Sequence, residues 1–332
     1  MFYCKKLSSL LLVAASATLL MGCASKQTKS AFAASGAKTL LLAHRGISQT
    51  FNPVGVTNDT CTATRIYPPT HAMLENTLSS MAAAVAAGAD AIEIDVHPTT
   101  DDQFAVFHDW TLDCRTNGTG RTRDFTMAQL KQLDLGYGYS ADGGKTFPFR
   151  GKIKEAMPSL TEVLQQLPNL RVLINIKSND PLEGQQLATY LNALTPERRA
   201  LTAVYGGDKP VQAVRENTKD IITMSKSSLK TCLISYAALG WSGQVPSSCE
   251  KTLVLLPINY ASWMWGWPNR FVERMNSAGS AVFVAGPYGG DRANTGIDSL
   301  ETLKQLPSDF KGGIWTNEIE LIGGAMNAVK KP

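Results

Sequence analysis

The stretch LSSMAAAVAAGADAIEIDV, residues 78–96, is the unit from which the fold is read. Residues 78–87 are small and apolar at helical spacing, Gly88 ends that run, and residues 91–96 follow as a short apolar strand. Strand residues two apart point the same way, so Glu93, Asp95 and His97 share one face. The same pairing of buried strand and amphipathic stretch recurs along the chain. Strands are expected at 39–43, 91–96, 172–176, 201–205, 221–224, 252–257, 281–285 and 313–316. Helical spacing is found at 78–87, 127–133, 160–166, 183–194, 211–217, 270–278 and 299–305. Eight such strands without a long linker predict an α/β fold, a TIM-type (β/α)8 barrel over residues 39–332. An open doubly wound sheet is the competitor, but no Gly-x-Gly-x-x-Gly turn follows the first strand. Residues 47–74 are rich in Asn, Pro and Thr and too long for a plain connection. They are expected to form an insertion after the first strand that folds over the barrel mouth.

The chain begins with an address. Lys5 and Lys6 precede an apolar stretch over 7–21 that is short for a membrane span and is followed by small residues. That pattern is a secretory signal peptide over residues 1–22. Leu20-Met21-Gly22-Cys23 resembles the bacterial lipobox, in which Cys23 is lipidated and becomes the first residue of the mature protein. An ordinary cleaved leader is the other reading. Residues 23–38, rich in Ser, Ala, Lys and Thr, read as a flexible tether. Membrane attachment at the extracytoplasmic face of a bacterial envelope then needs no apolar surface on the fold.

Without Lys5 and Lys6 the formal charge of +4 falls by two to +2, and no basic cluster stands out, which argues against nucleic acid as a partner. Of six cysteines, Cys4 leaves with the leader and Cys23 is the lipidation position. Cys61, Cys114, Cys232 and Cys249 remain, an even set that allows three pairings in an oxidising compartment and lacks the close spacing of a zinc site. The expected bridges are Cys61–Cys114, pinning the insertion beside His108, and Cys232–Cys249, closing a local polar loop.

The first strand ends at His44-Arg45-Gly46, and functional groups of a barrel gather at the C-terminal ends of its strands. A lone histidine there is ordinarily a satisfied core residue. The paired carboxylates on the next strand change that, because Glu93 and Asp95 would repel and desolvate each other unless a cation lay between them. A hard divalent ion, Ca²⁺ or Mg²⁺, suits oxygen ligands, and a salt bridge to a lysine is the plainer alternative.

His44-Arg45-Gly46, Glu75-Asn76-Thr77, Gly88-Ala89-Asp90, Glu93-Ile94-Asp95-Val96, Val106-Phe107-His108-Asp109, Leu112, Thr116-Asn117-Gly118 and Pro158-Ser159-Leu160 together resemble the glycerophosphodiester phosphodiesterase family. Each motif is weak alone, and their order is specific. The resemblance implies a barrel hydrolase that splits glycerophosphodiesters into glycerol 3-phosphate and an alcohol with the help of a divalent metal. It implies His44 and His108 as the acid/base pair, Glu93 and Asp95 as metal ligands, and Arg45 as a phosphate contact. Lys177 would join Arg45 in relieving negative charge on the phosphoryl oxygens. It also suggests a cyclic phosphate formed by the substrate's own hydroxyl, with direct attack by water as the other route.

One position departs from the family. After the third barrel strand the family usually carries Glu-x-Lys with a further acidic ligand, whereas this chain has Asn175-Ile176-Lys177. An Asn carbonyl can ligate Ca²⁺ or Mg²⁺ but adds no charge, so a weaker metal site is expected. His97 is read as a solvated rim residue and His71 as a surface residue of the insertion. Trp263, Trp265 and Trp267 are read as packing rather than as a cage for a choline-like cation. Trp315 or Glu318 is expected to line the pocket, with Trp315 as the substrate contact. Two further readings remain open: a phospholipase acting on intact lipid, and a non-catalytic binding lipoprotein supported only by Asn175.

Overall fold

The computed structural model describes residues 30–34, 36, 38–57, 60–290 and 295–329. The expected leader over 1–22 and the lipidation position Cys23 lie outside the described residues. Nine strands follow one another along the chain: β1 (Leu40–His44), β2 (Ala91–Pro98), β3 (Phe104–Val106), β4 (Arg171–Ile176), β5 (Thr202–Gly206), β6 (Ile222–Ser225), β7 (Leu253–Pro257), β8 (Ala281–Ala285) and β9 (Gly313–Thr316). All but β3 are parallel, in the order β6-β5-β4-β2-β1-β9-β8-β7, while β3 pairs antiparallel with the end of β2. A parallel bridge between Thr223 and Thr252 joins the two outer strands, and the Thr252 hydroxyl donates to the Thr223 carbonyl at 2.6 Å. The sheet is thereby nearly closed into the expected eight-stranded parallel barrel, with each expected strand within two residues of its observed bounds.

The helices are α1 (Leu78–Ala86), α2 (Met127–Leu130), α3 (Leu160–Gln166), α4 (Pro181–Asn192), α5 (Pro196–Ala200), α6 (Asp208–Asn217), α7 (Lys226–Leu239), α8 (Asn269–Ser277), α9 (Leu300–Leu303) and α10 (Ile319–Val329). Alternation along the strands builds two apolar layers. Leu42, Ala91, Leu173, Ala203, Leu255, Phe283 and Trp315 form a packed barrel interior. Ile92, Ile94, Val172, Ile174, Val204 and Val284 pack outward against Met81 and Ala84 of α1, Leu187 and Leu191 of α4, and Val214 of α6. Glu93 and Asp95 share the parity of Ala91, so β2 delivers both carboxylates to the inside.

The base of the barrel, at the strand N-termini, is stoppered by Phe32, which is fully buried with its ring 5.8 Å from that of Phe283. Ala33 is buried beside it. The expectation of a tether through residue 38 is corrected here, because an aromatic ring gains more by filling the open base than by staying in water.

Two excursions build a lobe beside the mouth. Residues 45–77 link β1 to α1 and carry the 3₁₀ turn Thr62–Arg65, while residues 107–159 link β3 to α3 and carry α2. Ala63, Ile66 and Leu74 of the first meet Phe107, Leu112, Met127, Leu130, Tyr139 and Phe149 of the second in a separate core. The sequence assigns 127–133 to a barrel helix. Only 127–130 is helical, and it belongs to the lobe, because Met127 and Leu130 find their apolar partners there. The Cys61–Cys114 disulfide ties the two excursions together, and Cys232–Cys249 ties α7 to the turn before β7, both as expected.

Candidate active site

Strand register places the polar residues. His44 is level with Glu93, Asp95 with Asn175, and Asn175 with Tyr205, so an inward-facing belt crosses four neighbouring strands at the mouth. Immediately after β1 the chain turns sharply, with Arg45 (φ 59°) and Asn76 (φ 59°) both in the left-handed region. Non-glycine residues stay there only where the surroundings enforce it. Here the Arg45 amide donates to the Glu93 carbonyl at 3.0 Å, and the Asn76 amide donates to the Arg45 carbonyl at 2.9 Å. Gly46 (φ 80°) is required next to them, since a Cβ there would come within 2.6 Å of Ser80 Oγ. The strained turn points the Arg45 guanidinium back over the belt.

Asp95 is fully buried and saturated with donors. It accepts from Asn76 Nδ2 at 3.0 Å and Asn175 Nδ2 at 2.9 Å, and it lies 3.1 Å from Arg45 Nε and 3.6 Å from Lys177 Nζ. Burial pushes its pKa up, but the charges of Arg45 and Lys177 outweigh that and hold the carboxyl well below the usual carboxylate range. Glu93 has the opposite environment. Its Oε1 accepts from the Tyr205 hydroxyl at 2.7 Å, whereas Oε2 is buried without a hydrogen-bond partner, 3.6 Å from His44 Nε2. Burial, then the adjacent Asp95 charge, pushes the Glu93 pKa up to about 8.

That orphaned oxygen decides how the site suits a divalent ion. A buried carboxylate oxygen with no donor fits a cation, and Glu93, Asp95 and the Asn175 carbonyl are the oxygens that would hold one. The fit is a lean one, since Arg45 and Lys177 already balance the two carboxylates. Among the described residues no cluster of three or more His, Cys, Asp or Glu side chains stands ready for a metal.

Both expected catalytic histidines are oriented through Nδ1. His44 Nδ1 lies 2.6 Å from Asn317 Oδ1, and Asn317 Nδ2 in turn donates to Asp298 at 2.7 Å. Because the Asn317 amide nitrogen is committed to Asp298, its oxygen must accept, so His44 carries its proton on Nδ1 and leaves Nε2 free. His108 Nδ1 is 2.5 Å from Asp109 Oδ1 and is fixed in the same tautomer. Burial, then the Arg45 charge, lowers the pKa of His44 well below its ordinary value and that of His108 to about 4. Both imidazoles are therefore neutral bases at pH 7.

Behind His108 lies a network that sequence reasoning missed. Arg115 Nε donates to Asp109 at 2.9 Å, Nη2 donates to Thr62 Oγ1 at 2.8 Å, and Nη1 reaches both Glu75 and, at 2.9 Å, Tyr139 Oη. Burial pushes the Asp109 pKa up, but the Arg115 charge and the His108 hydrogen bond hold it below the usual carboxylate range. Thr62 and Arg115 each adjoin one half-cystine of Cys61–Cys114, so the disulfide clamps the two ends of this contact.

Other expectations need correction. His97 is buried with its ring edge-on to Trp110 at 5.5 Å, because β3 covers the end of β2 at this position. Burial lowers its pKa to about 4. Trp315 is buried one layer below the belt, 5.1 Å from the His44 ring and 5.9 Å from Tyr205, where it supports His44 instead of offering a face to substrate. Glu318 is half-buried, and burial raises its pKa. His71 is half-buried against Gln49. Trp267 packs on Phe310 and Phe271 as expected, but Trp263 and Trp265 are exposed. Tyr205, Asn317, Asp298, Tyr139 and Thr62 carry no motif signal, since each is recruited by folding from a distant part of the chain.

Comparison with known proteins gives the family and the shared fold. A glycerophosphodiester phosphodiesterase of Caldanaerobacter subterraneus is 35% identical over 140 residues, covering 42% of this chain and 45% of that protein. One of Bacillus subtilis is 34% identical over 116 residues, covering 34% and 38%. The chain thus spans less than half the length of these curated relatives. Among solved structures, a glycerophosphodiester phosphodiesterase of Agrobacterium tumefaciens superposes with TM-score 0.55 at 22% identity over 86% of this chain and 100% of that one. An Oleispira antarctica phosphodiesterase in complex with its product sn-glycerol-3-phosphate superposes with TM-score 0.53 at 17% identity over 87% and 96%. These two show the shared fold. Residues 44–284 match the glycerophosphoryl diester phosphodiesterase family, from His44 at the end of β1 into β8, and the chain belongs to that family.

Proposed function

We propose that this protein hydrolyses glycerophosphodiesters to glycerol 3-phosphate and an alcohol, held at the extracytoplasmic face of a bacterial envelope by lipid on Cys23. The observation that carries the activity is the pair of neutral histidines, each locked through Nδ1 and each with Nε2 free, beside Arg45 and Lys177. One imidazole takes the proton from the attacking hydroxyl and the other delivers a proton to the departing alkoxide. Burial, then the Arg45 charge, depresses both histidines, and the negative phosphodiester works against both effects by favouring the protonated form of the imidazole that must donate. Arg45 and Lys177 face the charge that grows on the phosphoryl oxygens. Asp95 orients those two cations, and Tyr205 orients Glu93. A divalent ion held by Glu93, Asp95 and the Asn175 carbonyl would add Lewis-acid stabilisation of the same oxygens. The anchor is supported by the Leu20-Met21-Gly22-Cys23 sequence and by two disulfides, which belong to an oxidising compartment.

Incubation with glycerophosphocholine, with and without chelator, tests the reading. Glycerol 3-phosphate and choline are the expected products, with slower release under chelation. Phosphocholine as product, or no turnover, would refute it. His44→Ala and His108→Ala should each lower kcat by about a hundredfold or more. Near-native rates in both would remove the histidines from the chemistry.

A further inference from the structure

Several large apolar side chains are exposed among the described residues, and three of them come together. Leu239 at the end of α7 is 52% exposed, Trp241 in the following turn 69%, and Trp265 beyond β7 49%. They belong to one patch. Trp265 Nε1 donates to the Ala237 carbonyl at 2.8 Å, and the buried Tyr236 donates its hydroxyl to the Trp265 carbonyl at 2.8 Å. Arg274 of α8 then donates to the Gly240 carbonyl at 2.8 Å, next to Trp241.

The patch lies towards the base of the barrel, away from the mouth. Two residues past Arg274, Asn276 donates to the carbonyl of Ala34, part of the segment that stoppers the base. At the other end of α8, Asn269 accepts from the amide of Lys311, just before β9, and Trp267 stacks near Phe310, whose carbonyl accepts from Thr39 just before β1. Lys219, Lys251 and Lys311, which precede β6, β7 and β9, are exposed around the same end. Glu250 and Asp309 stand among them, so attraction at this face is carried by the aromatic and apolar side chains more than by net charge.

We infer that this patch of Leu239, Trp241 and Trp265 rests on a lipid bilayer, so that the barrel stands base-down and its catalytic mouth faces away from the membrane. The chain itself argues for that occupant. Its amino-terminal side leaves the described fold at Ser30, on the base, and only six residues separate Ser30 from Cys23. Seven Cα-to-Cα steps reach about 25 Å at full extension, so a lipid on Cys23 holds the base, and not the mouth, close to the membrane. Amphipathic tryptophans beside lysines are the side chains that settle at the boundary between headgroups and water. Among the described residues no helix is long and apolar enough to cross a bilayer, so this contact is peripheral. A mouth turned outward receives water-soluble diesters and not the intact lipids beneath the base. The inference rests on the anchor proposed above.

The test uses the full chain, isolated with its lipid and incorporated into phosphatidylethanolamine–phosphatidylglycerol vesicles with brominated acyl chains, which quench nearby tryptophan. Quenching is expected, and it should fall by more than half in the Trp241→Phe/Trp265→Phe double variant while persisting in Trp263→Phe. Turnover of glycerophosphocholine should be the same on vesicles as in detergent, since the mouth is unobstructed. Unchanged quenching in the double variant, or turnover abolished by vesicles, overturns the orientation. Mass spectrometry of the amino-terminal peptide reads the anchor separately. An unmodified Cys23 overturns the anchor and this inference with it, whereas acylated Cys23 with unchanged quenching overturns the orientation alone.

Discussion

Arg115 spends its whole donor fork inside the protein, on Asp109, Glu75, Tyr139 and Thr62, and none of those contacts reaches the substrate side of His108. It acts through Asp109, so it is a positioning residue. Arg115→Lys keeps the charge and loses the planar fork. The expected result is a folded enzyme whose kcat falls about tenfold or more with KM nearly unchanged, and whose pH profile on the acid side moves, because Asp109 no longer fixes the His108 tautomer. An unaltered pH profile would reduce Arg115 to a structural role. The sequence displayed the adjoining Thr116-Asn117-Gly118 and the distant Glu75, yet nothing in it joins side chains forty positions apart. Titration behaves likewise. His44, His97 and His108 have lowered pKa values in the fold, so between about 4 and the ordinary histidine value the unfolded chain binds more protons and stability rises with pH. Glu93, raised to about 8, works the other way: the folded state binds the extra proton, and stability falls as pH rises from the ordinary glutamate range to 8. Three histidines outweigh the raised carboxyls, Glu93 foremost with Glu183 and Glu318, below about pH 6.5, and above it the histidines no longer contribute to the slope. Urea unfolding of the chelator-treated protein across pH 5–8.5 should therefore show maximal stability near 6.5, and a monotonic rise through pH 8 would contradict a protonated Glu93 in the metal-free fold.

At the scale of elements, legibility followed periodicity. The eight barrel strands stand out because each is a buried apolar run, and α1, α3 and α4 because their apolar faces repeat at helical spacing. The strand β3 is three residues long, too short for any period. In α7 only Cys232 and Tyr236 are buried, while Ile234 and Leu239 face outward and four Ser/Thr residues intervene, so no single apolar stripe marks it. Gly323 breaks the pattern of α10 because that helix passes against α1, where a Cβ would meet the Ala87 carbonyl at 2.0 Å. The lobe of residues 107–159 was hidden for a different reason. Its core is shared with residues 45–77, and neither segment has a complete apolar face of its own. The bridge that joins them is therefore expected to matter for chemistry as well as stability. Cys61→Ser/Cys114→Ser should cost about 3–4 kcal/mol and also lower kcat, because Thr62 and Arg115 lose their clamp. Cys232→Ser/Cys249→Ser, far from His108, should cost about 3 kcal/mol and leave kcat intact. Equal effects of the two pairs on kcat would separate the lobe bridge from catalysis.

For the molecule as a whole, the barrel is a sleeve whose two ends are finished differently. The mouth is closed by the charged and hydrogen-bonded side chains of the candidate active site, and the base is closed by an aromatic ring supplied from outside the β/α repeats. A pattern search for strands and helices cannot see that ring, since Phe32 sits alone among Ser, Ala and Lys and resembles its tether-like neighbours. Its burial against Phe283, within the layer of Leu40, Leu253 and Ala281, makes it part of the core. Phe32→Ala should then destabilise the protein by about 3–5 kcal/mol, the cost of an aromatic deletion that leaves a cavity in a packed interior. A residue in a true tether would cost no more than about 0.5 kcal/mol on substitution, as Val54→Ser in the exposed part of the lobe should. Equilibrium urea unfolding of both variants at pH 7 makes the comparison. Since the base is remote from His44 and His108, kcat of folded Phe32→Ala should stay near native. Wild-type stability in that variant would return residues 30–34 to the tether and leave the barrel open at its base.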